Sequence, residues 1–149
     1  MPNDDTPGLP LPPPTILLAG LVAGFSLGWL LPWPVGFASW TLGLAAGLAG
    51  LGLIGAAFAQ LHWDLLPTRP TQALRTAGVL GFTRNPIYLG FVLLAAAAAL
   101  ATGNAWLWLA TPLVALALDR VIIAREERYL AARFPVEYPA YRSRVRRWL

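Results

Sequence analysis

The chain has 149 residues, 57% of them hydrophobic and only 12% charged, with a mean hydropathy of +0.58. Water-soluble domains carry about 25% charged residues, so an ordinary soluble enzyme is excluded as a first reading. The sequence has no Cys, one Met and one His, which excludes thiol nucleophiles, disulfides, thiolate zinc sites and multi-histidine metal centres. Seven acids leave little from which to build a carboxylate-only centre, and no metal is expected. The net charge of +4 comes from eleven arginines, since the chain has no Lys.

Residues 1–14 open with Asn3, Asp4 and Asp5 and carry no basic residue before the apolar run, so they lack the positive n-region of a secretory signal. Pro10, Pro12, Pro13 and Pro14 make a stiff lead, and a flexible or extended arm is expected there. Four apolar stretches follow, at about 15–31, 37–61, 86–101 and 105–124. A bilayer span needs about 20 residues. The last two stretches are short, but only Thr102-Gly103-Asn104 separates them, a cluster suited to the turn of a helical hairpin. Nothing from Asp119 to Ala132 breaks a helix, so the fourth runs on into the charged segment. The expected fold is an all-α polytopic membrane protein. It has four transmembrane helices and a cytoplasmic C-terminal helical segment at 125–149, with residues 15–149 as one domain.

The arginines give the orientation. Arg69, Arg75 and Arg84 lie between the second and third spans. Arg120, Arg125, Arg128, Arg133, Arg142, Arg144, Arg146 and Arg147 lie at or beyond the end of the fourth. Both segments fall on one face, which the positive-inside rule makes cytoplasmic, with both termini inside. Trp29, Trp33, Trp40, Trp106 and Trp108 sit at the opposite ends of the spans, as an interfacial aromatic belt does. The basic balance is mainly topological, and no nucleic-acid partner is expected. Gly20, Gly24 and Gly28, with Gly43, Gly47 and Gly50, recur at a spacing that lets helices approach closely. His62, alone beside Trp63 and Asp64, has no partner in the sequence and reads as structural.

Two stretches carry chemistry. Arg84-Asn85-Pro86-Ile87-Tyr88-Leu89-Gly90 describes a helix entry: Asn85 suits the N-cap, Pro86 the first helical position, and the apolar run begins at once. Tyr88, one turn in, can turn its hydroxyl back toward the surface where Arg84 lies. The second stretch is Asp119-Arg120 through Arg125-Glu126-Glu127-Arg128. Counting outward from the hairpin turn at about 1.5 Å per residue sets Arg84 and Asn85 level with Val121 and Ile122. The two glutamates then fall about one turn further into the cytoplasm. Two distant segments thus converge at one membrane surface.

Together these features resemble the isoprenylcysteine carboxyl methyltransferase and phospholipid methyltransferase family of integral membrane enzymes. The resemblance rests on the Arg84–Gly90 run, the hairpin after it, and the Glu126-Glu127 pair. It extends through Leu130, Phe134, Tyr138 and Tyr141 to Arg144-Val145-x-Arg147-Trp148, with Pro67-x-x-Pro70 and Leu74-x-x-x-Gly78 upstream. It covers about residues 64–149. The family's usual motif has His before the Pro, and here Asn85 stands in its place.

The resemblance implies S-adenosylmethionine as cofactor. Arg84, Asn85, Pro86, Tyr88, Leu89 and Gly90 would surround it from the third span, and Glu126 and Glu127 would contact its polar groups from the fourth. No glycine-rich dinucleotide loop after a strand is present, so a soluble Rossmann methyltransferase is excluded independently. The implied substrate is a lipid or lipid-like molecule. If the acceptor is a carboxylate, Arg142, Arg144 or Arg147 is suited to orient it. If it is an amine, a proton must leave first, and Tyr88, Glu126, Glu127 or water are the candidates. Tyr138, Tyr141 and the C-terminal arginines fit either a lipid-phosphate site or an amphipathic interfacial helix. N-methylation of an aminophospholipid and O-methylation of an isoprenylcysteine-like carboxylate are rival reactions. A non-catalytic structural or sensing module that keeps the fold is the alternative, and Asn85 is the feature that favours it.

Overall fold

A computed structural model of the protein describes residues 7–61 and 73–149. His62, Trp63, Asp64, Arg69, the Pro67-x-x-Pro70 pair and the acids Asp4 and Asp5 lie outside the described residues. The described residues form α1 (Pro14–Leu30), α2 (Trp40–Leu61), α3 (Pro86–Thr102), α4 (Ala105–Ala117), α5 (Ala124–Arg133) and α6 (Glu137–Arg144). A 3₁₀ turn, Gly78–Gly81, leads toward α3. Leu118–Ile123 is a π-helical segment that joins α4 to α5, so Ala105–Arg133 is one helix of 29 residues.

Local chemistry sets the helix ends. Pro14 and Pro86 occupy the first helical positions of α1 and α3, where a missing N–H costs nothing. Gly103 ends α3 in the left-handed region at φ 63°, with its N–H on the Ala99 carbonyl at 2.9 Å, a conformation glycine adopts without strain. Asn104 then caps α4: its Oδ1 accepts from the Trp106 N–H at 3.0 Å, while its Nδ2 donates to the Gly24 carbonyl at 3.1 Å. Thr102-Gly103-Asn104 is therefore the hairpin turn that the sequence indicates.

The α3–α4 hairpin is the centre of the bundle, with α2 packed along α3 and α1 along α4. The glycine stripes are contact surfaces. A Cβ on Gly24 would stand 2.5 Å from Leu107 Cδ2, and one on Gly50 would stand 2.8 Å from the Gly90 carbonyl oxygen. At the pole of the hairpin turn, Trp33 and Trp106 meet edge to face with ring centroids 5.5 Å apart. The indole N–H of Trp106 donates to the Leu31 carbonyl at 2.8 Å.

The outside of the bundle is apolar. Leu18, Val22 and Trp29 on α1 and Leu44, Leu48 and Leu51 on α2 are exposed, Trp29 by 83%. A contiguous apolar exterior of this kind suits lipid as solvent rather than water. α2 and the Ala105–Arg133 helix are long and apolar enough to cross a membrane, at about 33 and 43 Å. α1 and α3 have 17 residues each, or about 25 Å, a little less than the ~30 Å hydrocarbon core.

Within the π segment, the Ala124 N–H reaches back five residues to the Asp119 carbonyl, a wide turn that occurs mostly as single insertions, often at functional sites. Leu118, Ile122 and Ile123 of this segment are fully buried and pack with Tyr88, Phe91 and Ala95 of α3. This core sets the register between the start of α3 and the start of α5.

Candidate active site

The segment before α3 is held by the C-terminal tail. The Arg84 N–H donates to the Arg146 carbonyl at 3.0 Å. The Arg147 carbonyl accepts from Thr83 Oγ1 at 3.1 Å and from Asn85 Nδ2 at 3.0 Å, and Thr83 Oγ1 itself accepts from the Asn85 N–H at 3.2 Å. Asn85 does stand at the N-cap position of α3, but its side chain makes no capping bond. The amide is used across the fold instead, on a carbonyl 62 residues away.

Behind this segment lies a compact charge cluster. Arg84 Nη1 is 3.1 Å from Glu127 Oε1 and donates to the Tyr138 hydroxyl at 3.4 Å. Arg147 takes the same carboxylate with two nitrogens, Nε reaching Oε1 at 3.2 Å and Nη2 reaching Oε2, while its Nη1 donates to Asp119 Oδ1 at 2.9 Å. Two cations thus meet two anions in charge-assisted, partly bidentate bonds, and the Arg84 and Glu127 side chains are each only 9% exposed. The hydrogen bond to Glu127 raises the Arg147 pKa further, so Arg147 is a fixed cation. Burial raises the Tyr138 pKa, which keeps its phenol neutral beside Arg84.

This contact joins the two stretches that the depth count sets at one membrane surface. Counting sets Glu127 about one turn beyond Arg84, an offset that the side chains span. The π segment packs more residues into each turn and so advances less per residue than the 1.5 Å of an α-helix, and the long arginine side chain spans what remains.

A cavity of about 710 Å³ lies beside the cluster, within the ~300–1,000 Å³ usual for small-molecule sites. Arg84, Tyr88, Glu126, Tyr129 and Tyr141 supply its polar lining, Phe58, Leu80, Ile87 and Phe91 an apolar lining, and residues 7–14 a further wall. Tyr88 donates to Glu126 Oε1 at 2.6 Å. Tyr141 donates to the Leu80 carbonyl at 2.6 Å, and burial pushes its pKa up to about 12. Arg84 Nε is buried with no hydrogen-bond partner among the described residues, an unspent donor on a side chain that lines the cavity.

The structure therefore divides the residues singled out in the sequence. Arg84, Tyr88, Glu126 and Tyr141 meet at the cavity, and Asn85, Glu127 and Arg147 brace Arg84 and its backbone. Pro86 is buried as the first residue of α3, and Leu89 is half-buried outside the cavity lining. Gly90 faces α2: a Cβ there would stand 2.6 Å from Ile54 Cγ1 and 2.8 Å from the Gly50 carbonyl oxygen. Arg142 and Arg144 are exposed on α6, and Arg144 turns its Nε back to the Ala140 carbonyl at 3.2 Å. Thr83 and the wall at 7–14 are site components that motif reading passes over. Asp119 opens the second stretch in the sequence, two helical turns before the acid pair, and the structure gives it its role as a partner of Arg147.

The sequence profile described as phospholipid methyltransferase matches residues 38–137. The chain belongs to that family. The phospholipid methyltransferase match takes in Arg84–Gly90 and Glu126-Glu127 and ends at the first residue of α6, leaving α1 and the residues before it outside. An uncharacterized protein of Haemophilus influenzae is 41% identical over 63 residues, 42% of this chain and the whole of that protein. No solved structure matches. Family membership makes the chain a membrane methyltransferase, in agreement with the resemblance carried by its two motifs.

Proposed function

We propose that the chain is a four-span methyltransferase that uses S-adenosylmethionine at its cytoplasmic face and methylates the amino head group of a phospholipid. The observation that carries this reading is the Tyr88–Glu126 pair on the cavity wall. Glu127 is taken up by Arg84 and Arg147, which leaves Glu126 as the carboxylate turned toward a ligand. An amine acceptor arrives as a cation and must lose a proton before it attacks. A carboxylate held by a phenol at the cavity wall suits both steps.

The residues present fit the cofactor. A ligand carboxylate calls for a buried cation with a donor to spare, and Arg84 Nε is such a donor. Ligand ammonium and hydroxyl groups call for acceptors, and Glu126 and the phenol oxygens supply them. When bound, S-adenosylmethionine supplies an electrophilic methyl group on a sulfonium. The chain's own task is to align the acceptor and exclude water. Leu80, Ile87 and Phe91 give the cavity a dry side, and positioning of this kind contributes most to a displacement reaction.

The four-span topology is supported by the apolar exterior of α1 and α2, and the orientation by the placement of the arginines. Arg75 and Arg84 on the cavity wall favour the second acceptor class, an isoprenylcysteine-like carboxylate. Arg142, Arg144 and Tyr141 remain the candidates for a substrate head group approaching from α6, whereas Arg147 is committed to its acids. The non-catalytic alternative rests on Asn85. That residue is outside the cavity lining and bonds the tail, so its departure from the family's His leaves the wall of the cavity complete.

The test is methyl transfer from isotopically labelled S-adenosylmethionine by purified protein in mixed micelles. One set contains phosphatidylethanolamine and the other a farnesylated cysteine carboxylate. The expected product is a base-stable N-methylated lipid. A base-labile methyl ester would move the assignment to the second class, and no transfer to either would contradict the enzyme reading.

A further inference from the structure

The N-terminal segment stands outside the family match, yet it forms part of the cavity. Every residue from Pro7 to Pro14 lines it. The segment has no charged side chain, and five of its eight residues are prolines whose φ is fixed in advance, so the wall is stiff and little entropy is lost in ordering it. It is moored at three places. Leu9 packs against the bundle core, Arg125 Nη1 donates to the Gly8 carbonyl at 3.4 Å, and Thr15 Oγ1 donates to the Pro12 carbonyl at 2.6 Å. Leu11 also lines the cavity and stays 39% exposed, so part of its apolar surface is left free of packing.

The cavity is thus polar where Arg84, Tyr88 and Glu126 stand and apolar along this segment. S-adenosylmethionine is a charged, water-soluble molecule whose apolar surface is limited to the faces of its adenine ring and a few methylenes, too little to cover an uncharged wall eight residues long. An amphiphile divides in the same way as the cavity does. We propose that residues 7–14 form the wall against which the hydrocarbon chain of the acceptor lies, and that Leu11 and its neighbouring prolines select which acceptors enter. The proposal rests on the cavity being the methyl-transfer site.

The test uses the full chain in detergent with Leu11→Asp and Arg125→Gln, the second of which loosens the tether without touching the wall. Two quantities are measured: the Kd for S-adenosylmethionine, and the KM for dilauroyl phosphatidylethanolamine, with a farnesylated cysteine carboxylate assayed in parallel. The expected result is a KM raised at least tenfold for Leu11→Asp and severalfold for Arg125→Gln, with the Kd within twofold of wild type. An unchanged KM overturns the proposal. So does a Kd that rises in step with KM, because the segment would then wall the cofactor. Wild type that binds S-adenosylmethionine but methylates neither amphiphile also overturns it. Wild type that binds no S-adenosylmethionine contradicts the reading of the cavity itself, a separate failure.

Discussion

Glu126 and Glu127 are adjacent in the chain and engage different partners: Glu126 accepts from Tyr88 on the cavity wall, and Glu127 is clasped by Arg84 and Arg147 behind it. Successive residues on a helix point about 100° apart, so one carboxylate can serve a ligand while the next serves the fold. Glu127→Gln leaves two arginines facing a neutral group. Loss of one partner from a buried pair costs about 3–5 kcal/mol. Arg147 is 31% exposed, which lowers the expectation to about 2–3 kcal/mol. Thermal unfolding in detergent should show that loss for Glu127→Gln and a change of under about 1 kcal/mol for Glu126→Gln. Equal losses would contradict the division.

Asn85→Ala removes one of two side-chain donors from the Arg147 carbonyl and leaves Thr83 on it. The expected cost is about 1 kcal/mol, read by thermal unfolding. S-adenosylmethionine affinity should change less than threefold, because the amide bonds the tail and not the cavity. A collapse of affinity with stability intact would place Asn85 among the ligand contacts.

Gly90→Ala tests the assignment of this glycine to helix packing. The added methyl meets Ile54 and the Gly50 carbonyl at under 3 Å, and overpacking of this kind costs about 1–3 kcal/mol. The variant should unfold at lower temperature and, where folded, bind S-adenosylmethionine as wild type does. Normal stability with lost binding would return Gly90 to the cofactor site.

Tyr141 predicts an alkaline weakness. Its phenol titrates near 10 in the unfolded chain and near 12 in the fold, because burial disfavours the phenolate. Between those values the unfolded state holds fewer protons, so stability falls as pH rises. The contribution is whole below pH 10 and is lost by about pH 12. Unfolding temperatures at pH 9 and 11 should therefore fall further for wild type than for Tyr141→Phe; parallel curves would contradict the shift.

The parts of the fold governed by local chemistry were legible in the sequence. The proline start of α3, the Thr102-Gly103-Asn104 turn and the glycine contact stripes follow from side-chain preferences acting over a few residues, whereas Pro14, expected in the arm, is the first residue of α1. So does the meeting of the Arg84–Gly90 and Glu126-Glu127 stretches, which hairpin geometry imposes. The separate partners of the two glutamates were not legible, because they depend on a π segment whose residues Leu118–Ile123 carry no distinguishing signature. The docking of the tail was equally hidden, since the Arg146 and Arg147 groups that hold α3 are backbone carbonyls, and every residue has one. Contacts made by Pro7–Pro14 join ends of the chain more than a hundred residues apart and leave no mark in either motif.

On the proposed function, Tyr88 and Glu126 face a bound cofactor while Glu127 braces the site. Titration of S-adenosylmethionine into the purified protein in detergent tests it most directly, with Tyr88→Phe and Glu126→Gln compared with wild type under conditions where each is shown to be folded. Saturable binding to wild type is expected, with a Kd raised about tenfold or more in both variants, equivalent to ~1.4 kcal/mol. Absent binding to wild type, or equal affinity in all three proteins, would contradict it.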